Sequence, residues 1–249
     1  MTTKSQAPAL LSLEELTVPR PASAMLKWVD EAHARFNTRV LRAEFREGKH
    51  FANELIHEAR PMALFAIRYY GASSQVIITH VLGNQNYDGT VDDRRPMAAS
   101  IKYLEVTTTL RTYDDSLRME ILNKQGHVAA YGPVVAEGPR RNRTLIRADG
   151  MAREHKTIRA EHIKRIQNVV DQKAKKHYNK DTALIVAVDD PVPFSGEDDV
   201  HALARLAKED LIPSLRSTNF SLLALEGSQG VHLCFPIVGD AASDGGPGL

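Results

Sequence analysis

The stretch Thr182–Asp190, TALIVAVDD, sets the tightest limit on what this chain can fold into. Its apolar residues run without interruption between polar ends, so it has no face to offer to water and reads as a strand buried on both sides of a sheet. Just before it, Ile163, Ile166, Val170, Ala174 and His177 recur at helical spacing, which predicts a long helix over about 157–177. A helix that feeds directly into a doubly buried strand is an α/β signature.

Residues 23–45 carry apolar side chains at helical spacing, with Ser23 as a cap. A second helix is expected over 49–71, ending at Gly71, with Pro61 breaking or kinking it unless a new helix starts there. The period then changes: 75–83, 87–91 and 100–110 read as strands, 114–124 as a short helix closed by Gly126, and 127–135 as an extended piece. A basic loop, GPRRNRTLIR, precedes the long helix, and a helix over 198–215 and strands over 220–227 and 231–238 follow TALIVAVDD. The expectation is one mixed sheet in a single domain over 22–238, between a flexible segment at 1–21 and a glycine-rich flexible tail at 239–249.

Charge enters where a partner is considered. Acids and bases nearly cancel, at +1 in 249 residues, so a nucleic acid would have to be held by a local basic patch. Cys234 is the only cysteine, which excludes an intramolecular disulfide framework and fits a reducing compartment. The N-terminus lacks the pattern of a secretory signal and no apolar run approaches a bilayer span, so the expectation is a cytoplasmic protein without membrane contact. There is no Walker A loop, no G-x-G-x-x-G, no G-x-S-x-G elbow and no HExxH, and the ten histidines carry no assigned role.

Two acids remain: Asp88 in YDG, on a turn, and Glu105 in YLEVT, inside a β-branched run. Their placement, and the order helix, three strands, helix, strand around them, resembles the PD-(D/E)XK nuclease superfamily, whose motif sets an aspartate near the second strand and (D/E)-x-K on the third. The likeness covers roughly 43–190 and implies a restriction endonuclease-like mixed β-sheet flanked by helices. Thr107 stands where the motif has lysine. What the resemblance implies is hydrolysis of phosphodiester bonds with Mg²⁺ or Mn²⁺ held by Asp88 and Glu105. That suits a hard cation that takes one or two carboxylates and fills its other positions with water and phosphate.

A threonine hydroxyl cannot supply the missing positive charge. Strand alternation puts Ile101, Tyr103, Glu105, Thr107 and Thr109 on one face and Lys102, Leu104 and Val106 on the other, so Lys102 is a poor substitute. In some members of the superfamily the lysine has moved to the following helix. In TIRAEHIKRIQNVVDQKAKKHY, at about 100° per residue, Lys173 lies within about 50° of the apolar stripe's centre, whereas Lys175 faces away. Lys173 is therefore the expected catalytic cation, and Glu58, preferred to Glu54, the accessory acid from the first helical region.

Arg140, Arg141 and Arg143, with Arg147, are the candidate phosphate contacts, positioning nucleic acid without reading its sequence. DNA is the foremost expected partner, with RNA open, and a protein partner or a second copy is a further expectation. The alternative to a nuclease is a catalytically degenerate nuclease-fold subunit that binds nucleic acid or a protein, for example in phage defence, and Thr107 is its best support. A third reading is an unrelated α/β protein in which Asp88 and Glu105 are turn and surface residues.

Overall fold

The structure is a computed structural model that describes residues 10–109, 113–129, 132–138, 145–188, 197–227 and 230–238. A seven-stranded mixed sheet carries helices on both faces. Its strands are β1 (Arg20–Pro21), β2 (Val76–His80), β3 (Gly89–Asp93), β4 (Tyr103–Thr108), β7 (Thr182–Ala187), β8 (Phe220–Glu226) and β9 (His232–Pro236), in that spatial order. Neighbours from β1 to β4 pair antiparallel, β4–β7 and β7–β8 parallel, and β8–β9 antiparallel. A separate hairpin joins β5 (Val134–Glu137) to β6 (Leu145–Ala148).

TALIVAVDD supplies β7, and its alternate residues show why it must be central. Ala183 and Ile185 enter one core with α2 (Ala22–Ala34) and α5 (Arg60–Tyr69), while Leu184 and Val186 enter a second with α7 (His155–Ala174) and α8 (Glu197–Leu206). The parallel β4–β7 pair needs a crossover, and α7 makes the last leg of it. Among the described residues no helix is long and apolar enough to cross a membrane.

Several local expectations are corrected. The helix over 23–45 is two helices, α2 and α3 (Arg39–Arg46), because the Thr38 side chain accepts from the Leu41 N–H and starts the second one afresh. Pro21 occupies the N-cap of α2, and the Ser23 N–H donates to Ser73 O instead of capping. At Pro61, by contrast, a new helix does start, as one branch of the expectation had it. The chain runs from α4 (Ala52–Glu54) through a π turn at Leu55–Ala59 into α5, and in that wider turn the Arg60 N–H reaches back to Leu55 O. Pro61 then sits in the first turn of α5, where its missing N–H costs little. The helix closes as expected, with Gly71 at φ +67°.

The segment before residue 22 is anchored from residue 10 onward. Helix α1 (Leu13–Thr17) puts Leu16 into the first core, and Glu15 accepts from Trp28 Nε1 at 3.2 Å and from the Arg35 guanidinium at 2.7 Å. Arg20 lies 3.7 Å over the Trp28 ring. The basic loop contributes β6, and α7 ends at Ala174, leaving His177 exposed beyond it.

Candidate functional site

The sheet register decides which side chains meet. His80 pairs with Gly89, Gly89 with Leu104 and Leu104 with Ala183, forming one row that faces α5. One step along, Glu105 pairs with Leu184 and faces α7, and continuing the Gly89–Leu104 register sets Asp88 opposite Glu105. Asp88 holds that place through its backbone and its side chain. Its N–H donates to Leu104 O at 2.8 Å, its carbonyl accepts from Val81 N at 2.8 Å, and its Oδ2 accepts from Val106 N at 2.7 Å.

Glu105 is buried, and the Lys173 ammonium donates to its Oε1, with 18% and 8% of the lysine and glutamate side chains exposed. The helix lysine picked out by phase thus lies against the strand glutamate. Tyr178 Oη donates to the same oxygen at 3.3 Å. Burial, followed by the Glu105 charge, raises the tyrosine hydroxyl well above its ordinary range, so it stays a donor. Lys102 is elsewhere, in an exposed pair with Asp181 at 3.1 Å. Alternation holds for Leu104, Glu105 and Val106, but Ile101 precedes the strand and joins the α5-side core with Leu104.

Burial, then the neighbouring Glu105 charge, pushes the Asp88 carboxyl up to about 7. Glu58 adds to the rise, and the Val106 N–H and Lys173 oppose it. A buried carboxyl whose ionisation is opposed by a neighbouring carboxylate is what a cation relieves. Among the described residues no hydrogen-bond donor reaches Asp88 Oδ1 or Glu105 Oε2, so each carboxylate keeps an oxygen for a ligand. One or two carboxylates suffice for Mg²⁺ or Mn²⁺, which keep waters and phosphate oxygens in their other positions. Asp88 and Glu105 are the residues that would hold such an ion.

Glu58 is placed differently from Asp88 and Glu105. It projects from the π turn, and its Oε2 lies 2.8 Å from Nε2 of His80, a wholly buried residue of β2. Gly89 lies under α5 in the same row, and a Cβ there would come within 2.7 Å of Met62 Sδ, which would have to shift. Glu58 contributes its charge at Asp88 and its hydrogen bond to His80, and Glu54 has neither.

Three residues of the site escaped sequence reasoning. His80 follows Val76 and Ile78 in β2 at a period of two, a phase that announces a buried histidine, and its Nδ1 has no partner. Tyr178 lies just past the end of α7 and its ring packs 4.4 Å from that of Phe220. Asn86 donates to His177 O at 2.8 Å, tying the loop before Asp88 to the turn after Lys173; no sequence pattern signals that link.

Arg140, Arg141 and Arg143 lie outside the described residues. Arg147 pairs with Asp149 at 3.1 Å in the exposed β6. Arg118 pairs with Asp115 at 3.4 Å and donates to Gly132 O at 2.6 Å. Comparison of the chain with protein-family models, with curated proteins and with solved structures gives no match.

Proposed function

We propose that this chain is a divalent-metal-dependent nuclease that hydrolyses phosphodiester bonds, built on the PD-(D/E)XK plan with its lysine supplied by the helix after the motif strands. The observation that carries this reading is the contact of Lys173 with Glu105, beside Asp88. A buried ion pair brings little net stability, because desolvation offsets the Coulomb gain. Its value therefore lies in chemistry.

In this reading Asp88 Oδ1 and Glu105 Oε2 would hold Mg²⁺ or Mn²⁺, which supplies polarisation of the phosphoryl oxygen and a hydroxide nucleophile. Lys173 has donors beyond the one given to Glu105 and turns them to the charge that develops on the phosphate. Tyr178 fixes the Glu105 carboxylate, and the Glu58–His80 pair keeps negative charge near Asp88. Nucleic acid, DNA foremost, is the substrate class. The test is incubation of purified protein with DNA and RNA in Mg²⁺ or Mn²⁺, beside an EDTA control and Glu105→Ala. Cleavage that needs both the metal and Glu105 is the expected result, and absence of metal-dependent cleavage, or equal cleavage by the variant, sinks the proposal.

The second reading, a degenerate subunit, is favoured by Thr107 in the lysine position and by the burial that pushes the Asp88 carboxyl up to about 7. It calls for nucleic-acid or protein binding that survives EDTA.

A further inference from the structure

At the far edge of the sheet, three strands beyond β4, an unusual set of side chains meets on the face that α5 covers. Glu226 ends β8, wholly buried, and its cross-strand partner in β9 is His232. Cys234 follows two residues later, so it shares the face of His232. His232 Nδ1 lies 2.6 Å from Glu226 Oε1, and His232 Nε2 lies 3.8 Å from Cys234 Sγ. The ligand atoms of the three residues all fall within 4.8 Å of one another, and among the described residues this is the one such group of three metal-ligating types.

We infer that Glu226, His232 and Cys234 form a binding site for a thiophilic divalent cation of the zinc class. Zinc bonds of about 2.0–2.3 Å set neighbouring donors roughly 3–4 Å apart, and His232 Nε2 and Cys234 Sγ stand at 3.8 Å. Thiolate, imidazole and carboxylate together suit zinc, whereas Mg²⁺ takes oxygen ligands, so this site is chemically distinct from the pair Asp88 and Glu105. Arg68 of α5 holds the other oxygen of Glu226 at 2.9 Å and also donates to Gly227 O at 3.1 Å and Val231 O at 2.7 Å. It thereby fixes the carboxylate and the backbone at Gly227 and Val231, the latter next to His232, the role outer residues play around metals. With Nε2 and Cys234 Sγ as the ligands, Glu226 is the acceptor at Nδ1 that orients the ring.

The alternative use of a cysteine beside a histidine and a glutamate is nucleophilic catalysis, which needs a thiolate. Burial, followed by the Glu226 charge, pushes the Cys234 thiol up to about 12. A bound cation displaces that proton outright. His232 and Cys234 are both partly exposed, which leaves an entry from solvent.

The absence of any other cysteine gives the test an unambiguous signal. Full-length protein, reduced and stripped with EDTA, is titrated with Co²⁺ and then with Zn²⁺. The expected result is a thiolate-to-cobalt charge-transfer band in the near ultraviolet that saturates at a single equivalent, is bleached by Zn²⁺ and resists excess Mg²⁺. Cys234→Ser abolishes the band, and His232→Ala weakens Co²⁺ binding, read from the band, by about ten-fold or more. Circular dichroism confirms that each variant is folded. A folded wild-type protein without the band overturns the proposal, and so does a band of undiminished affinity in folded His232→Ala.

Discussion

The Lys173 ammonium donates to Glu105 Oε1 across sixty-eight residues of chain, joining the end of α7 to the middle of β4. Position 107, where a nuclease motif would carry its own lysine, is a threonine. If the positive charge has moved, the two positions are interchangeable in principle. Lys173→Ala is expected to lower metal-dependent cleavage about 10²-fold or more, the scale of losing one charge-stabilising donor. Thr107→Lys in that background is expected to restore part of the rate, and single-turnover cleavage of labelled DNA measures both. Full activity in Lys173→Ala removes the lysine from the mechanism.

Asp88 gives a pH signature. Its carboxyl stands at about 7 against an ordinary 3.8, so the folded chain holds this proton more tightly than the unfolded one does. Stability from this group is present at low pH and is lost as pH rises from about 4 to about 7. Asp88→Asn removes the penalty: thermal melts are expected to show a higher Tm than wild type at pH 8, with the gain shrinking toward pH 4. For a chain of this size each kcal/mol is worth about 2–4 °C. Mg²⁺ is expected to raise the Tm of wild type at pH 8 by mass action and to leave Asp88→Asn unchanged.

Glu226 has no exposed side-chain surface, and Arg68 is its cationic partner. Taking away one member of a buried pair costs about 3–5 kcal/mol, because the other charge is left uncompensated. Arg68→Met is expected to destabilise on that scale, while Arg68→Met with Glu226→Met costs less than the single change. Urea unfolding of the double-mutant cycle checks the sign of the coupling; additive costs would show that the two side chains do not act as a pair.

Leu16 reports on the N-terminal segment. It is fully buried in the core beneath α2, and the Ser12 side chain caps its helix by accepting from the Glu15 N–H. Leu16→Ala is expected to cost about 2–5 kcal/mol, as for other buried leucines. Chemical denaturation measures it, and a loss below about 0.5 kcal/mol, the scale of an ordinary surface change, would mean that the segment is loosely held.

Sequence patterns reached those parts of the fold that rest on local period. The doubly buried β7, the face of Glu105 and the inward lean of Lys173 all follow from a repeat of two or 3.6 residues read over a short window. The boundary between α2 and α3 was visible in the Thr38 cap, but the apolar stripe runs on across it and hides the break. At Pro61 a new helix starts, as the proline rule allows, whereas the π turn before it leaves no mark in the sequence. His80 had the right phase to be found buried, yet its partner Glu58 lies on another element. Asn86, Tyr178 and the contacts of Leu16 depend on distant segments coming together, and no window along the chain contains both halves of any of them.

The parallel pairing of β4 with β7 has a kinetic meaning. Such pairs form late, because the entropy of closing a long loop is lost before the contact returns anything. Asp88 and Glu105 belong to the meander β2–β3–β4, whose neighbours are close in sequence, whereas Lys173 arrives only when the crossover closes. A nascent or partly folded chain thus carries the two acids without their cation. The proposed centre is therefore assembled only once β7 has paired with β4.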